Sequence, residues 1–147
     1  MLLPAEWITP GLVALALVLG LAYRSLGGRG RKVVNSEVID LKRLGATKQG
    51  LPVKAFGKSA TLLQFSAQYC AICPGVSKAL GKLEYRHGNL KHIEVDITDR
   101  LELAAHFNIN QTPTTFVLNS KGEIVYRVSG APKLDILSKE LEKLGVK

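Results

Sequence analysis

The feature that most constrains this chain is the pair Cys70 and Cys73, which are its only two cysteines. Residues 61–65 form a short run of apolar, β-branched and aromatic residues, which is typical of a buried central strand. Beyond the pair, apolar residues recur at helical spacing, at Val76, Leu80 and Leu83. This spacing predicts a helix over 74–85 with one apolar face. The cysteines are therefore predicted to lie where a strand gives way to a helix.

This position has a chemical consequence for the two thiols. A helix N-terminus carries partial positive charge and unpaired backbone N–H groups, both of which stabilise a thiolate relative to a thiol. With two residues between the cysteines, the second sulfur can attack a mixed disulfide formed by the first and close a local disulfide. We therefore predict that Cys70 is the nucleophile and Cys73 the resolving cysteine. Pro74 suits the first helical turn, where its missing N–H would have no intrahelical partner.

Two other roles for the cysteine pair stay open. The pair could be half of a zinc site, although no second pair of matching ligands occurs among His87, His92, His106 and the carboxylates. It could also form a purely structural disulfide, although so short a loop removes little entropy from the unfolded chain. For thiol–disulfide exchange we expect no metal and no organic cofactor, because the electrons move through the sulfur atoms.

Two segments resemble the thioredoxin family. Residues 62–73, Leu-Leu-Gln-Phe-Ser-Ala-Gln-Tyr-Cys-Ala-Ile-Cys, resemble its active-site strand and loop, and Thr112-Pro113-Thr114 resembles its cis-proline loop. A cis peptide bond is tolerated almost only before proline. The resemblance extends over about 61–144 and more loosely over 38–44. It implies an α/β thioredoxin-like fold with a central mixed β-sheet flanked by helices. It also implies dithiol–disulfide exchange with protein clients and a thiol electron donor.

The resemblance also suggests which residues meet a substrate. In the family, the backbone beside the cis-proline pairs with an extended substrate segment, so Thr112 and Pro113 are expected at the docking edge. Tyr69 stands where the family usually has tryptophan, and is expected to shield the thiolate and pack against partners. Gly130 resembles a family glycine near the substrate groove.

The chain departs from the family pattern behind and between the cysteines. Gln64 stands where many thioredoxins carry a buried aspartate that exchanges a proton with the resolving cysteine, and glutamine cannot titrate. Glu94 matches a position that often holds the lysine partner of that aspartate. We hypothesise that the carboxylate of Glu94 substitutes as a proton-transfer group from across the sheet. Ala71-Ile72 lacks the histidine of oxidising relatives, which argues against a strong oxidant.

The remaining pattern predicts the rest of one domain. We expect a half-buried strand over 92–97, a short helix over 101–107, a hairpin joining 116–118 to 124–128 through turn residues 119–122, and an amphipathic helix over 133–144. Residues 37–147 are long enough for one hydrophobic core but not for two domains.

The N-terminal region predicts a single transmembrane anchor over 7–24, preceded by a short segment over 1–6. No charged residue occurs from Trp7 to Tyr23, and residues 12–22 are apolar on every helical face. About 17 residues at about 1.5 Å each approach the hydrocarbon thickness of about 30 Å. Trp7 and Tyr23 suit the two interfaces, and Arg24 can snorkel. A cleavable signal peptide is the alternative, but it favours basic residues before the apolar run, and none precedes Arg24.

The charge distribution predicts how the anchor is oriented. Glu6 is the only charged side chain before the span, and basic residues follow it at Arg24, Arg29, Arg31 and Lys32. The positive-inside tendency predicts a single-pass protein of the cell membrane with its redox domain in the cytoplasm. The outer face stays open, because disulfides persist there. Residues 25–36 are expected to form a basic flexible tether.

The formal charge of +8 does not favour a nucleic-acid partner. The basic residues are spread along the chain, and the one cluster lies beside the span, where anionic lipid headgroups explain it. We therefore predict a membrane-tethered thiol–disulfide oxidoreductase that reduces protein disulfides and contacts the bilayer through residues 7–24. The alternatives are a metal- or client-binding module without turnover, and a disulfide oxidase or isomerase.

Overall fold

The computed structural model describes residues 5–28, 30–33, 37–48 and 51–147. Its helices are α1 (Ala5–Leu26), α2 (Leu41–Leu44), α3 (Cys73–Arg86), α4 (Leu101–His106) and α5 (Leu134–Lys143). Its strands are β1 (Gly30–Lys32), β2 (Thr47–Lys48), β3 (Leu51–Pro52), β4 (Ala60–Ser66), β5 (Leu90–Asp96), β6 (Thr114–Asn119) and β7 (Ile124–Ser129).

The main sheet has five strands in the order β1-β7-β6-β4-β5. β4 pairs in parallel with β5, whereas the β4–β6, β6–β7 and β1–β7 pairs are antiparallel. Every residue of β4 is buried, as expected for a central strand covered on both faces. β2 and β3 form a separate two-stranded ribbon. The predicted α/β fold with a central mixed sheet is confirmed.

Successive side chains of β4 enter two separate cores, because side chains alternate between the faces of a strand. Leu63 and Phe65 belong to a core that includes residues of α2 and α4. Leu62 belongs to the other core, which includes Leu80 of α3 and Leu137 of α5. The sheet is thus a middle layer between two layers of helices, and the loop after β4 leads directly into α3.

The structure confirms the elements predicted from the pattern within the domain. The expected strands over 61–65 and 92–97 correspond to β4 and β5, the hairpin to β6 and β7, and the helices over 74–85, 101–107 and 133–144 to α3, α4 and α5. The boundaries differ by no more than the usual uncertainty at helix and strand ends.

The predicted anchor coincides with α1, a helix of 22 residues. Its segment Ile8–Ser25 is long and apolar enough to cross a membrane, and none of it is buried against the rest of the protein. A signal sequence near an N-terminus has the same properties, so membrane insertion stays a prediction. The side chain of Trp7 and residues 1–4 lie outside the described residues.

The prediction of a flexible tether over 25–36 is wrong for part of that segment. Gly30–Lys32 form β1, which pairs antiparallel with Tyr126–Val128 of β7. Without β1, that side of β7 would expose a row of unpaired N–H and C=O groups, and a short extended segment can satisfy them despite its unremarkable sequence. Arg29 and residues 34–36 lie outside the described residues.

Candidate active site

Cys70 and Cys73 form a disulfide with a Cα–Cα distance of 5.4 Å. Cys70 lies in the turn after β4, where its N–H donates to the carbonyl of Ala67 at 3.0 Å. Cys73 is the first residue of α3, and its N–H donates to the carbonyl of Cys70 at 3.3 Å. The strand-to-helix position predicted for the pair is therefore confirmed.

The two cysteines differ in exposure. Cys70 is half-buried, whereas Cys73 is 3% exposed. A second molecule can therefore approach Cys70 more easily than Cys73.

The start of α3 favours negative charge. Its N-cap residue, Ile72, makes no side-chain capping hydrogen bond, and the first turn of this fully described helix carries no acidic side chain. The positive end of the helix is therefore not neutralised by the helix's own side chains, and it stabilises a thiolate formed there.

The cis-proline loop has the geometry that the sequence suggested. The Thr112–Pro113 peptide bond is cis, Thr112 is half-buried and Pro113 is buried. The N–H of Gly130 donates to the carbonyl of Pro113 at 2.7 Å, so these two predicted site residues are brought together. Gly130 has a φ of +82°, in the left-handed region that favours glycine.

An apolar groove of about 390 Å³ lies beside the cysteine loop. The residues lining it are Ala71, Ile72, Gly75, Val76, Ala79, Ala131, Pro132 and Leu134. It therefore runs between the start of α3 and the segment that follows Gly130. Tyr69 is 89% exposed and does not line this groove, so the structure leaves its side chain open to a partner.

Gln64 lies directly behind Cys73. Its side chain is fully buried, its Nε2 donates to the Cys73 carbonyl oxygen at 3.3 Å, and its Oε1 lies 3.1 Å from Nε2 of His92. Glu94 pairs in register with Gln64 across β4 and β5. Its carboxylate accepts a hydrogen bond from Ser77 Oγ at 2.7 Å. The two proton-transfer candidates thus share a face of the sheet but bind different partners.

Comparison with known proteins identifies the family. The thioredoxin family model matches residues 52–143, which is more than half of the chain. The chain belongs to the thioredoxin family. Thioredoxin from Gallus gallus is 31% identical over 81 residues, which cover 55% of this chain and 76% of the relative. Thioredoxin H5 from Arabidopsis thaliana is 27% identical over 88 residues, covering 60% and 73% of the two chains.

Solved structures agree on the fold. Thioredoxin f2 from Chlamydomonas reinhardtii matches with a TM-score of 0.51 at 20% sequence identity, covering 59% of this chain and 80% of that one. With thioredoxin relatives and a cysteine pair at the Cys-x-x-Cys spacing, this thioredoxin is a thiol–disulfide oxidoreductase, as predicted.

His92 is the site residue whose position the sequence did not reveal. The sequence suggested it only as one possible zinc ligand, yet this thioredoxin holds it 7% exposed against Gln64. Burial lowers the pKa of His92 from its ordinary value; the nearby carboxylates of Glu94 and Glu84 raise the pKa and Lys48 lowers it further. The available signal was the strand alternation that puts His92 and Glu94 on one face of β5.

Among the described residues, neither a cluster of metal ligands nor the larger cavity points to a second site. Within the described part of the chain, no group of three His, Cys, Asp or Glu side chains is placed to hold a metal ion. His106 pairs with Glu37 at 2.9 Å instead. A larger cavity of about 660 Å³ is lined by residues between Ile39 and Phe56, none of which belongs to the cysteine or cis-proline loops.

Proposed function

We propose that this thioredoxin is a membrane-tethered reductase of protein disulfides, with Cys70 as nucleophile and Cys73 as resolving cysteine. The observation that carries the proposal is the unequal exposure of the pair: Cys70 is half-buried, whereas Cys73 is 3% exposed. A client sulfur reaches the outer cysteine first, and the inner cysteine is held within reach of the mixed disulfide.

The reaction proceeds by two thiol–disulfide exchanges. The Cys70 thiolate attacks one sulfur of the client disulfide, which forms a Cys70–client disulfide and releases the other client sulfur as a thiolate. The Cys73 thiolate then attacks Sγ of Cys70, which closes the Cys70–Cys73 disulfide and releases the second client thiolate. The client gains two electrons, and the released thiolates take protons from solvent. An external dithiol donor restores the Cys70–Cys73 dithiol by the reverse exchanges.

The groove and the cis-proline loop are the proposed docking edge. An extended client segment would place apolar side chains in the groove and pair its backbone with that of Thr112, beside Pro113. Tyr69 would pack against the client from outside the groove. Gly130 would hold the Pro113 carbonyl through its N–H, which keeps the loop in place beside the cysteines.

The two cysteine roles are tested by Cys70→Ser and Cys73→Ser in reduction of a disulfide-bonded protein such as insulin, with a dithiol donor. We expect Cys70→Ser to abolish turnover and to trap no client. We expect Cys73→Ser to accumulate a mixed disulfide, visible as an added client mass that a reductant removes. Wild-type turnover in Cys70→Ser would overturn the assignment. Stable client binding without turnover in the wild type would favour the binding module.

The direction of electron flow is tested by the reduction potential of the Cys70–Cys73 couple, equilibrated against glutathione. The absence of a histidine in Ala71-Ile72 supports a reductant, because no imidazolium stabilises the Cys70 thiolate there. We expect a potential near or below about −250 mV. A potential near about −150 mV would contradict the reductase proposal and favour an oxidase or isomerase.

Helix α1 supports the membrane attachment. Its large apolar side chains are exposed throughout the described part, and this much apolar surface is unfavourable in water. The end of the helix is held against the redox domain, since Lys133 Nζ donates to the Ser25 carbonyl at 3.0 Å and β1 follows almost directly. We propose that 7–24 spans the bilayer, with the redox domain beginning at β1 rather than at residue 37.

Membrane attachment is tested by expressing the full chain and washing membranes with alkaline carbonate. We expect the full-length protein, identified by its mass, to stay with the membranes, and a chain lacking residues 1–26 to be released. An N-terminally shortened product outside the membrane would instead show a cleaved signal peptide.

The basic residues after the span support a cytoplasmic redox domain. In intact cells treated first with a membrane-permeant dithiol reductant that is then washed away, a membrane-impermeant maleimide should leave Cys70 unlabelled, and labelling should require permeabilised cells. Labelling in intact cells would place the redox domain outside.

A further inference from the structure

We propose that His92 is a positioning residue of the redox centre, which holds the Gln64 amide as a donor to the Cys73 backbone and so supports the attack of Cys73 on the mixed disulfide. The juxtaposition behind the proposal is a chain of hydrogen bonds that runs from His92 Nε2 through the Gln64 side chain to the carbonyl of Cys73.

The two contacts determine each other's direction. The Cys73 carbonyl can only accept a hydrogen bond, so Gln64 must turn its NH₂ group towards Cys73 and its Oε1 towards His92. Oε1 can only accept as well, so His92 must carry a hydrogen on Nε2. If the Gln64 amide were reversed, its Oε1 would face the Cys73 carbonyl oxygen, and two acceptors would lie against each other. A histidine donor at this position therefore selects the amide orientation that supports the first residue of α3.

The pair is held rigidly and away from water. Gln64 and His92 lie on neighbouring parallel strands, where Gln64 is in register with Glu94 and His92 with Leu62. Gln64 is fully buried and His92 nearly so. A hydrogen bond in such surroundings is strengthened by the low local dielectric, and an unpaired amide oxygen there is costly. Loss of the His92 donor would free the Gln64 amide to rotate.

Glu94 is less suited than His92 to act on Cys73 through Gln64. The hydrogen bond to Glu94 comes from Ser77, whereas His92 contacts the amide that itself contacts Cys73. The titratable side chains around His92 are Glu94 on β5, Glu84 on α3 and Lys48 on β2. Glu84 and Lys48 form an ion pair with each other, and Lys48 Nζ also donates to the His92 backbone carbonyl at 3.1 Å.

Support of the Cys73 backbone acts on the second exchange, in which Sγ of Cys73 attacks the mixed disulfide at Cys70. Cys73 is the first residue of α3, and its carbonyl is held by the Gln64 amide. The sulfur exchanges themselves are unchanged, and His92 takes part in no bond to sulfur.

The proposal is tested on the full chain in detergent by measuring, above neutral pH, the rate at which Cys73 resolves a preformed Cys70–glutathione disulfide. His92→Gln keeps a nitrogen donor of similar reach but cannot titrate. His92→Phe keeps the ring shape without a donor. His106→Gln is the matched control, since His106 lies on α4 and pairs with Glu37 instead.

We expect His92→Phe to slow this resolution by about threefold or more, because the Gln64 amide loses its hydrogen-bond donor. His92→Gln should restore the wild-type rate. His106→Gln should follow the wild type throughout.

Two results would overturn the proposal. One is a folded His92→Phe protein whose resolution rate equals that of the wild type. The other is a His92→Gln protein that resolves as slowly as His92→Phe. If His92→Phe does not fold, His92→Leu takes its place as the variant without a donor. The proposal concerns the Cys70–Cys73 couple only, so its failure is distinguishable from a failure of membrane attachment or of client reduction.

Discussion

The two faces of the central sheet are built differently. The face towards α2 and α4 is mostly apolar, and its buried threonine hydroxyls bond nearby backbone groups. Phe116 packs there against the rings of Phe65 and Phe107 with centroids 5.2 and 5.9 Å apart. The face towards α3 and α5 has an apolar core as well, but at its cysteine end it buries Gln64 and His92 in hydrogen-bonded contact.

This difference suggests that the two faces of the sheet contribute differently to stability and to the redox equilibrium. Burial of apolar side chains stabilises the fold and needs no particular orientation between them. Buried polar side chains destabilise the fold unless each finds a correctly oriented hydrogen-bond partner. We therefore expect substitutions on the α2–α4 face to change stability alone, and those behind Cys73 to change the redox equilibrium as well. Four measurements would break or sharpen this contrast.

The largest effect is expected for Phe116→Ala on the apolar face. Phe116 is 2% exposed, and deletion of a buried aromatic ring costs about 3–5 kcal/mol of unfolding free energy. Urea unfolding of the oxidised protein measures the loss, with Phe116→Leu as a milder variant. The glutathione equilibrium constant of folded Phe116→Leu should match the wild type. A shift in that constant would break the contrast between the faces.

A smaller loss of stability is expected for Gln64→Leu, together with an altered redox equilibrium. Leucine fills a similar volume but leaves the His92 N–H without its acceptor, at a cost of about 1–3 kcal/mol. Urea unfolding and the glutathione equilibrium measure the two effects on one sample. A stability loss with an unchanged redox equilibrium would mean that this buried pair serves the fold alone.

The pH dependence of stability should reveal His92. Its folded pKa lies below its ordinary value of 6.5, so the unfolded chain binds more protons between the two values. The stability that comes from neutral His92 is therefore present above pH 6.5 and lost as the pH falls through the lowered folded pKa. Urea unfolding should show this acid-side loss in the wild type and not in His92→Gln. If the unfolding free energies of the wild type and His92→Gln changed equally with pH, this expectation would be contradicted.

The smallest effect is expected for Thr115→Val, beside Gln64 in the β4–β6 register. Among the described residues, the buried Thr115 Oγ1 has no hydrogen-bond partner. Removing an unpaired buried hydroxyl should change stability by less than about 1 kcal/mol, or raise it. A loss above about 2 kcal/mol in urea unfolding would show that this hydroxyl is satisfied in solution and belongs to the polar group behind Cys73.

Much of the fold and part of the site could be predicted from local patterns. The buried run in β4, the helical stripe of α3 and the turn residues 119–122 each predict an element, because their side-chain periodicity follows from backbone geometry. The Cys-x-x-Cys spacing and the Thr112-Pro113 sequence marked two loops of the site. Gly130, which donates a hydrogen bond to the Pro113 carbonyl, was suggested by the family resemblance.

Other features could not be predicted in this way. β1 contains Gly30, Arg31 and Lys32, which show no strand pattern, and it forms because β7 offers an unpaired edge. Glu94 was correctly placed across the sheet from Gln64, but the contact with Gln64 is made by His92, two residues earlier on the same face.

By itself, the sequence determined the order of the elements from β4 to α5, the position of Cys70 and Cys73 at the start of α3, and a long apolar segment near the N-terminus. Only the tertiary structure decided that β1 joins the sheet and that His92 contacts Gln64 behind Cys73. The reason is physical: periodicity is set within a segment by its own backbone, whereas strand register and side-chain contacts depend on how distant segments pack together.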